Sequence, residues 1–213
     1  MRNPSVKEII GNQNFLLLHK LHYDSIIAFV FMNIKKKNLA SVTYFLSLSF
    51  LFICLIILSV RGFTAFQISF LEYLTAFFYG FFFGSFIVIP FHEFFHALAY
   101  RIIGARPRFG MDLKQLIFYI TADKFVVNRK EFHWIALAPF IIINAFVASV
   151  FMFLNINQQI IALYFLFFHN LMCIGDFAML SFYYQHSDKK LYSFDIIEEK
   201  TSYMYELKEQ KLN

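Results

Sequence analysis

The stretch Ile68 to His96, ISFLEYLTAFFYGFFFGSFIVIPFHEFFH, runs almost uncharged until it ends in two histidines and a glutamate. About 20 apolar residues are enough for a helix to cross the hydrocarbon core of a bilayer. This run therefore crosses and then emerges, carrying His92-Glu93-Phe94-Phe95-His96 to the far boundary. Its apolar character is broken only by Glu72, Gly80, Gly84 and Pro90, and Pro90 predicts a kink just before the first histidine.

Working outward, three more uncharged or nearly uncharged runs appear at 43–60, 133–154 and 159–184, beside the one at 68–90. Only Asn155-Ile156-Asn157-Gln158 separates the last two, which predicts an antiparallel pair. The expected fold is an all-α membrane protein of about four transmembrane helices, with a short cytoplasmic β-hairpin between spans two and three. Composition agrees: 59% of residues are hydrophobic, 15% charged, and 32 of 213 are Phe. Side chains this apolar would leave a soluble fold with large exposed patches, whereas lipid accommodates them.

Lysine and arginine alternate with the spans. Residues 1–42 hold 6, 61–67 hold 1, 101–132 hold 7, 155–158 hold 0 and 185–213 hold 5. By the positive-inside rule, both termini and the 101–132 segment face the cytoplasm of a multi-pass cell-membrane protein, and the histidine motif lies at the cytoplasmic boundary. The chain then divides into an interfacial N-terminal segment (1–42), the membrane domain (43–184) and a charged tail (185–213).

Within 1–42, dispersed charges argue against a cleaved signal peptide. FLLLHKLHYDSIIAFVFMNIKKK reads as an interfacial helix anchored by Lys35 to Lys37. Residues 108–128 are rich in Tyr, Ile, Val, Phe and Thr, which predicts the hairpin. The tail reads as a solvated helix or a partly disordered segment. Cys54 and Cys173 lie in apolar runs and read as packing residues. The net charge of +5 does not point to nucleic acid, because no basic residues are interleaved with aromatics in a soluble module.

His92 and His96 are four residues apart, so on a helix both imidazoles reach one ion, and Glu93 lies beside them. This geometry suits tetrahedral zinc, Zn2+, which would polarise a water while the Glu93 carboxylate takes its proton as general base. Three ionisable groups at a membrane-facing helix end are costly unless partnered or bound to a metal. Catalytic zinc takes a third protein ligand. Of the acids within apolar runs, Glu72 is about 30 Å of helix from His92. Asp176, descending on span four, reaches the depth of the histidines, and spans two to four hold no Lys or Arg to pair with it. His169 and Asn170 on span four and Asn144 on span three read either as interhelical hydrogen-bonding groups or as groups that orient a ligand or the substrate.

Taken together, HEFFHALAYRIIGARPRFG, YITAD, ALAPFIIIN and HNLMCIGD resemble a small integral-membrane zincin-peptidase family catalogued as a domain of unknown function, itself similar to site-2 proteases. The resemblance covers about residues 65 to 185. It rests on the histidine pair followed by Gly104-Ala105-Arg106-Pro107 and on a later Gly175-Asp176. It implies the same third metal ligand, Asp176. It also implies that the hairpin offers an edge strand to an unwound substrate. Phe94-Phe95 stand where related motifs have small or aliphatic residues, and a Leu-Asp-Gly form is absent. The expected function is a zinc-dependent endopeptidase of the cytoplasmic membrane face. Its partners are membrane lipid and a peptide or membrane-protein substrate, with no nucleic acid, and the sequence leaves its oligomeric state open. The alternatives are a catalytically silent scaffold or regulator with a structural metal, and a metal-ion carrier.

Overall fold

The computed structural model describes residues 3–65, 67–112 and 117–208. Among them, three helical stretches are long and apolar enough to cross a membrane, or four if a bent pair forms one span. The first is α3 (Leu39–Thr64), started by Asn38, whose side chain accepts from the Ser41 backbone N–H; two shorter helices precede it, α1 (Val6–Ile10) and α2 (Ile26–Ile34). The second runs from Phe70 to Ile102 as α4 (Phe70–Phe82), a π-helical turn at Phe83–Ile87 and α5 (Val88–Ile102). Glu72, which interrupts the apolar run, forms a capping box with Ser69 at the start of α4. The wide turn directly precedes Pro90, whose ring crowds the carbonyl one turn back and which has no N–H to donate. The third is α6 (Arg129–Phe151).

Span four differs from its expected form. It comprises α7 (Ile156–Met172) and α8 (Ile174–Gln185), bent by 48° at Cys173 rather than continuous over 159–184. Its start is fixed by an Asn155–Gln158 capping box. Two glycines let α4 and the wide turn lie against α7. A Cβ on Gly80 would stand 2.2 Å from the Tyr164 Cβ, and one on Gly84 would stand 2.5 Å from the Phe165 carbonyl oxygen. No residue larger than glycine permits this approach. Between the helices, Leu51, Leu55, Ala76, Val88, Ile143 and Ile160 form the main apolar core, while many other Phe and Ile side chains of the spans face outward.

The all-α expectation requires a correction. Four strands, β1 (Phe15–His22), β4 (Val127–Asn128), β5 (Lys190–Ile196) and β6 (Thr201–Leu207), form an antiparallel sheet in the order β1-β6-β5-β4. The interfacial helix expected across Phe15 to Lys37 thus begins as a strand, Phe15–His22, and is helical only from a 3-10 turn at Tyr23–Ser25 through α2. The tail, expected as a solvated helix or a partly disordered segment, forms a hairpin of β5 and β6 within its described residues. Its apolar side chains alternate to both faces of a pleated ribbon: Leu191 and Met204 are buried on one face, and Phe194 stacks on Tyr203 and Tyr205 on the other. Of the charges that suggested a helix, Glu198, Glu199 and Lys200 fall at the hairpin turn, where Lys200 takes a left-handed φ of 47°. β1 finds its partner in β6, so nothing near it in sequence announces the pairing.

A second, two-stranded sheet pairs β2 (Arg108–Asp112) with β3 (Ile117–Thr121) between spans two and three. The expected hairpin extended to 128, but Val127–Asn128 leaves it to join β5 as β4. Its turn, 113–116, lies outside the described residues. At the opposite end of the helices, Gly62 lies against Ile68 and Ile156. The sheet therefore gathers β1, β4, β5 and β6 at one end of the helices.

Candidate metal centre and active-site cleft

His92 and His96 project from one face of α5, with their Nε2 atoms 3.1 Å apart. Asp176, in the first turn of α8, closes the triangle: its Oδ2 lies 3.2 Å from His92 Nε2 and its Oδ1 lies 3.3 Å from His96 Nε2. The three residues selected by spacing and depth are thus brought together. All three side chains are largely buried, and a helix N-terminus favours the negative charge of Asp176.

Two observations test whether a metal fits. With metal–nitrogen and metal–oxygen distances of about 2.0 to 2.1 Å, neighbouring donors of a tetrahedral zinc stand roughly 3.3 to 3.4 Å apart, close to these spacings. The ring of His96 is held by its Nδ1, which lies 2.9 Å from the Ile135 carbonyl. A carbonyl only accepts, so Nδ1 carries a proton, and in the neutral imidazole that binds a metal Nε2 presents the lone pair. Lone pairs and a carboxylate converge on one point, as a cation requires. Beside them Glu93 is buried, and its Oε2 has no hydrogen-bonding partner among the described residues, an orphaned group costly to bury without a task.

The residues expected to orient ligand or substrate also gather here. His92 Nδ1 lies 3.2 Å from His169 Nε2, and His169 Nδ1 lies 3.2 Å from Asn170 Oδ1. Asn170 and Asn144 exchange hydrogen bonds of 2.9 and 3.2 Å, and Asn144 Nδ2 also donates to the Phe140 carbonyl. Cys173, read from sequence as a packing residue, is fully buried at the bend and joins His92 and His169 in a second group of metal-capable atoms. Its position four residues after His169 was the available signal.

A cavity of about 520 Å³ opens on these groups. Glu93 and Asp176 line one side, Phe118 to Thr121 of β3 line another, and Asp195 of β5 and Ser202 of β6 lie beyond. The Ile120 backbone is in hydrogen-bonding contact with the Glu93 carboxyl. Asp195 accepts from the hydroxyls of both Thr121 and Ser202, pinning β3 to the larger sheet. Burial holds its carboxyl above the usual carboxylate range; the Ser202 and Thr121 hydroxyls oppose this, and nearby Asp123 adds to it. No chemistry was expected in the tail, so this clamp went unread. Phe94 is exposed and Phe95 packs on the core, and neither lines the cavity.

No curated protein and no solved structure matches the chain. A family model described as "Putative zincin peptidase" matches residues 85–191, from the wide turn through the histidine pair and Asp176 to the first strand of the tail hairpin. That match spans half of the sequence and both halves of the candidate centre, and the chain belongs to this zincin-peptidase family.

Proposed function

We propose that the chain is a zinc-dependent endopeptidase of the membrane, working at its cytoplasmic face. The observation that carries this reading is the convergence of His92 Nε2, His96 Nε2 and the Asp176 carboxylate within 3.3 Å of one another, next to Glu93 Oε2, which has no hydrogen-bonding partner among the described residues. His92, His96 and Asp176 would hold the ion. Zinc there would supply Lewis acidity toward a water and the scissile carbonyl.

The chain's own groups supply the rest. Glu93 takes the proton of the attacking water on its carboxylate and returns it to the leaving amine. The apolar walls of the cavity exclude bulk water, which strengthens every charge interaction within. β3 would present its edge to an extended peptide, so that main-chain pairing holds the scissile bond near Glu93. The cytoplasmic placement is supported by the clustering of Lys and Arg in the N-terminal segment, the 101–132 segment and the tail.

Glu93→Gln tests the mechanism. Purified protein should keep its zinc and lose peptide hydrolysis by a factor of about 100 or more; undiminished hydrolysis sinks the mechanism. Zinc retention by a wild-type protein that hydrolyses nothing would favour a silent scaffold. Phe118→Pro, which breaks β3, should abolish cleavage with zinc unchanged, and cleavage at the wild-type rate would remove the edge strand from substrate binding.

A further inference from the structure

The hydrogen-bond sense of Asn144, Asn170, His169 and His92 can be traced from one backbone atom. The Phe140 carbonyl can only accept, so the Asn144 atom 2.8 Å from it is the NH2 group. That NH2 meets Asn170 at 2.9 Å, so the Asn170 atom facing it is its oxygen. The same oxygen lies 3.2 Å from His169 Nδ1, which therefore carries the imidazole proton. A neutral imidazole has one N–H, and a fully buried ring is costly to charge. His169 Nε2 is then a lone pair, and it accepts from His92 Nδ1, 3.2 Å away. His92 is left with its Nε2 lone pair aimed at His96 and Asp176.

We propose that His169, itself oriented by Asn170 and Asn144, is a positioning residue that fixes the tautomer and ring angle of His92 for metal binding. This rests on the proposed metal centre and deepens it. The proton count also decides between the two metal-capable groups that share His92. A metal among His92, His169 and Cys173 would have to displace the proton on His92 Nδ1 and break the bond to His169. The chain of hydrogen bonds favours the group with His96 and Asp176 instead. Neighbours that orient a metal-bound histidine govern affinity even though they never touch the ion.

Zinc affinity of the full-length protein in detergent tests this directly. His169→Phe keeps the ring and its stacking on Phe165 but removes the acceptor, and should weaken zinc binding by about 10- to 100-fold. His169→Gln, which accepts through its oxygen and donates through its amide, should restore most of that loss. Cys173→Ala should bind zinc as wild type does, and the cobalt-substituted protein should show no sulfur-to-metal charge-transfer band. Wild-type affinity in His169→Phe overturns the proposal. So does joint loss in His169→Phe and Cys173→Ala with a charge-transfer band in the wild type, which moves the metal to the second group. Should His169→Phe fail to fold, histidine 15N shifts of the wild type decide: a proton on His169 Nδ1 supports the proposal and one on Nε2 overturns it. A wild type that binds no zinc sinks the peptidase reading, and the tautomer measurement still judges this one.

Discussion

Asp195 shows how a single partly buried carboxyl reports on the cleft wall. Because burial raises its pKa above the unfolded value, the folded state prefers the protonated form. Its stabilising contribution is fully present below the ordinary carboxylate range, near pH 4, and is lost as pH rises through the raised value. Melting temperature should therefore fall between mildly acidic and neutral pH. Asp195→Asn, which keeps a neutral group between Thr121 and Ser202, should flatten that slope and melt higher at pH 7; an unchanged slope in thermal melts would remove Asp195 as its source. At the metal, Asp176→Ala should cost more than about 100-fold in zinc affinity, exceeding the loss of a merely orienting neighbour. His92, Glu93, His96 and Asp176 were legible because helical spacing and membrane depth are written in the sequence itself. Asp195 and Cys173 were not, because their meaning depends on which strand or ring is folded against them.

The close passage of α4 against α7 sets the distance between the two halves of the centre. Gly84→Ala drives a methyl group into the Phe165 backbone, which cannot rotate away as a side chain can. It should cost about 1–3 kcal/mol in stability. It should also weaken zinc binding, since Phe165 lies one turn before His169; thermal melts with and without zinc measure both effects. Helix α8 is held by Ser181, which donates to the Asn33 carbonyl and accepts from Asn38 and Ser41. Ser181→Ala takes the side-chain partner from Ser41 and from the Asn33 carbonyl, leaving Asn38 only the Ser181 carbonyl, and should cost about 1–3 kcal/mol by the same measurement. The spans were readable as uncharged runs of sufficient length. The bend at Cys173 was not, because it changes direction within an apolar run that remains apolar on both sides.

Across the whole molecule, helices carry the proposed ligands while strands carry the cleft wall. Ending the chain after Glu199 removes β6, and with it the partner of β1 and the Ser202 hydroxyl on Asp195. Zinc should be retained by that truncated protein and peptide hydrolysis lost, measured by metal content and turnover; retained hydrolysis would free the cleft from the sheet. Local pattern could not announce this sheet, since its outer pairing joins Phe15 to Leu207. That pairing also orders events during synthesis. β1 leaves the ribosome early and waits, unpaired, until every span has been inserted and β6 has followed. The helices that carry the proposed ligands are made before β6, so on the proposed reading the nascent chain lacks a complete peptide-binding wall until translation of that strand closes the sheet.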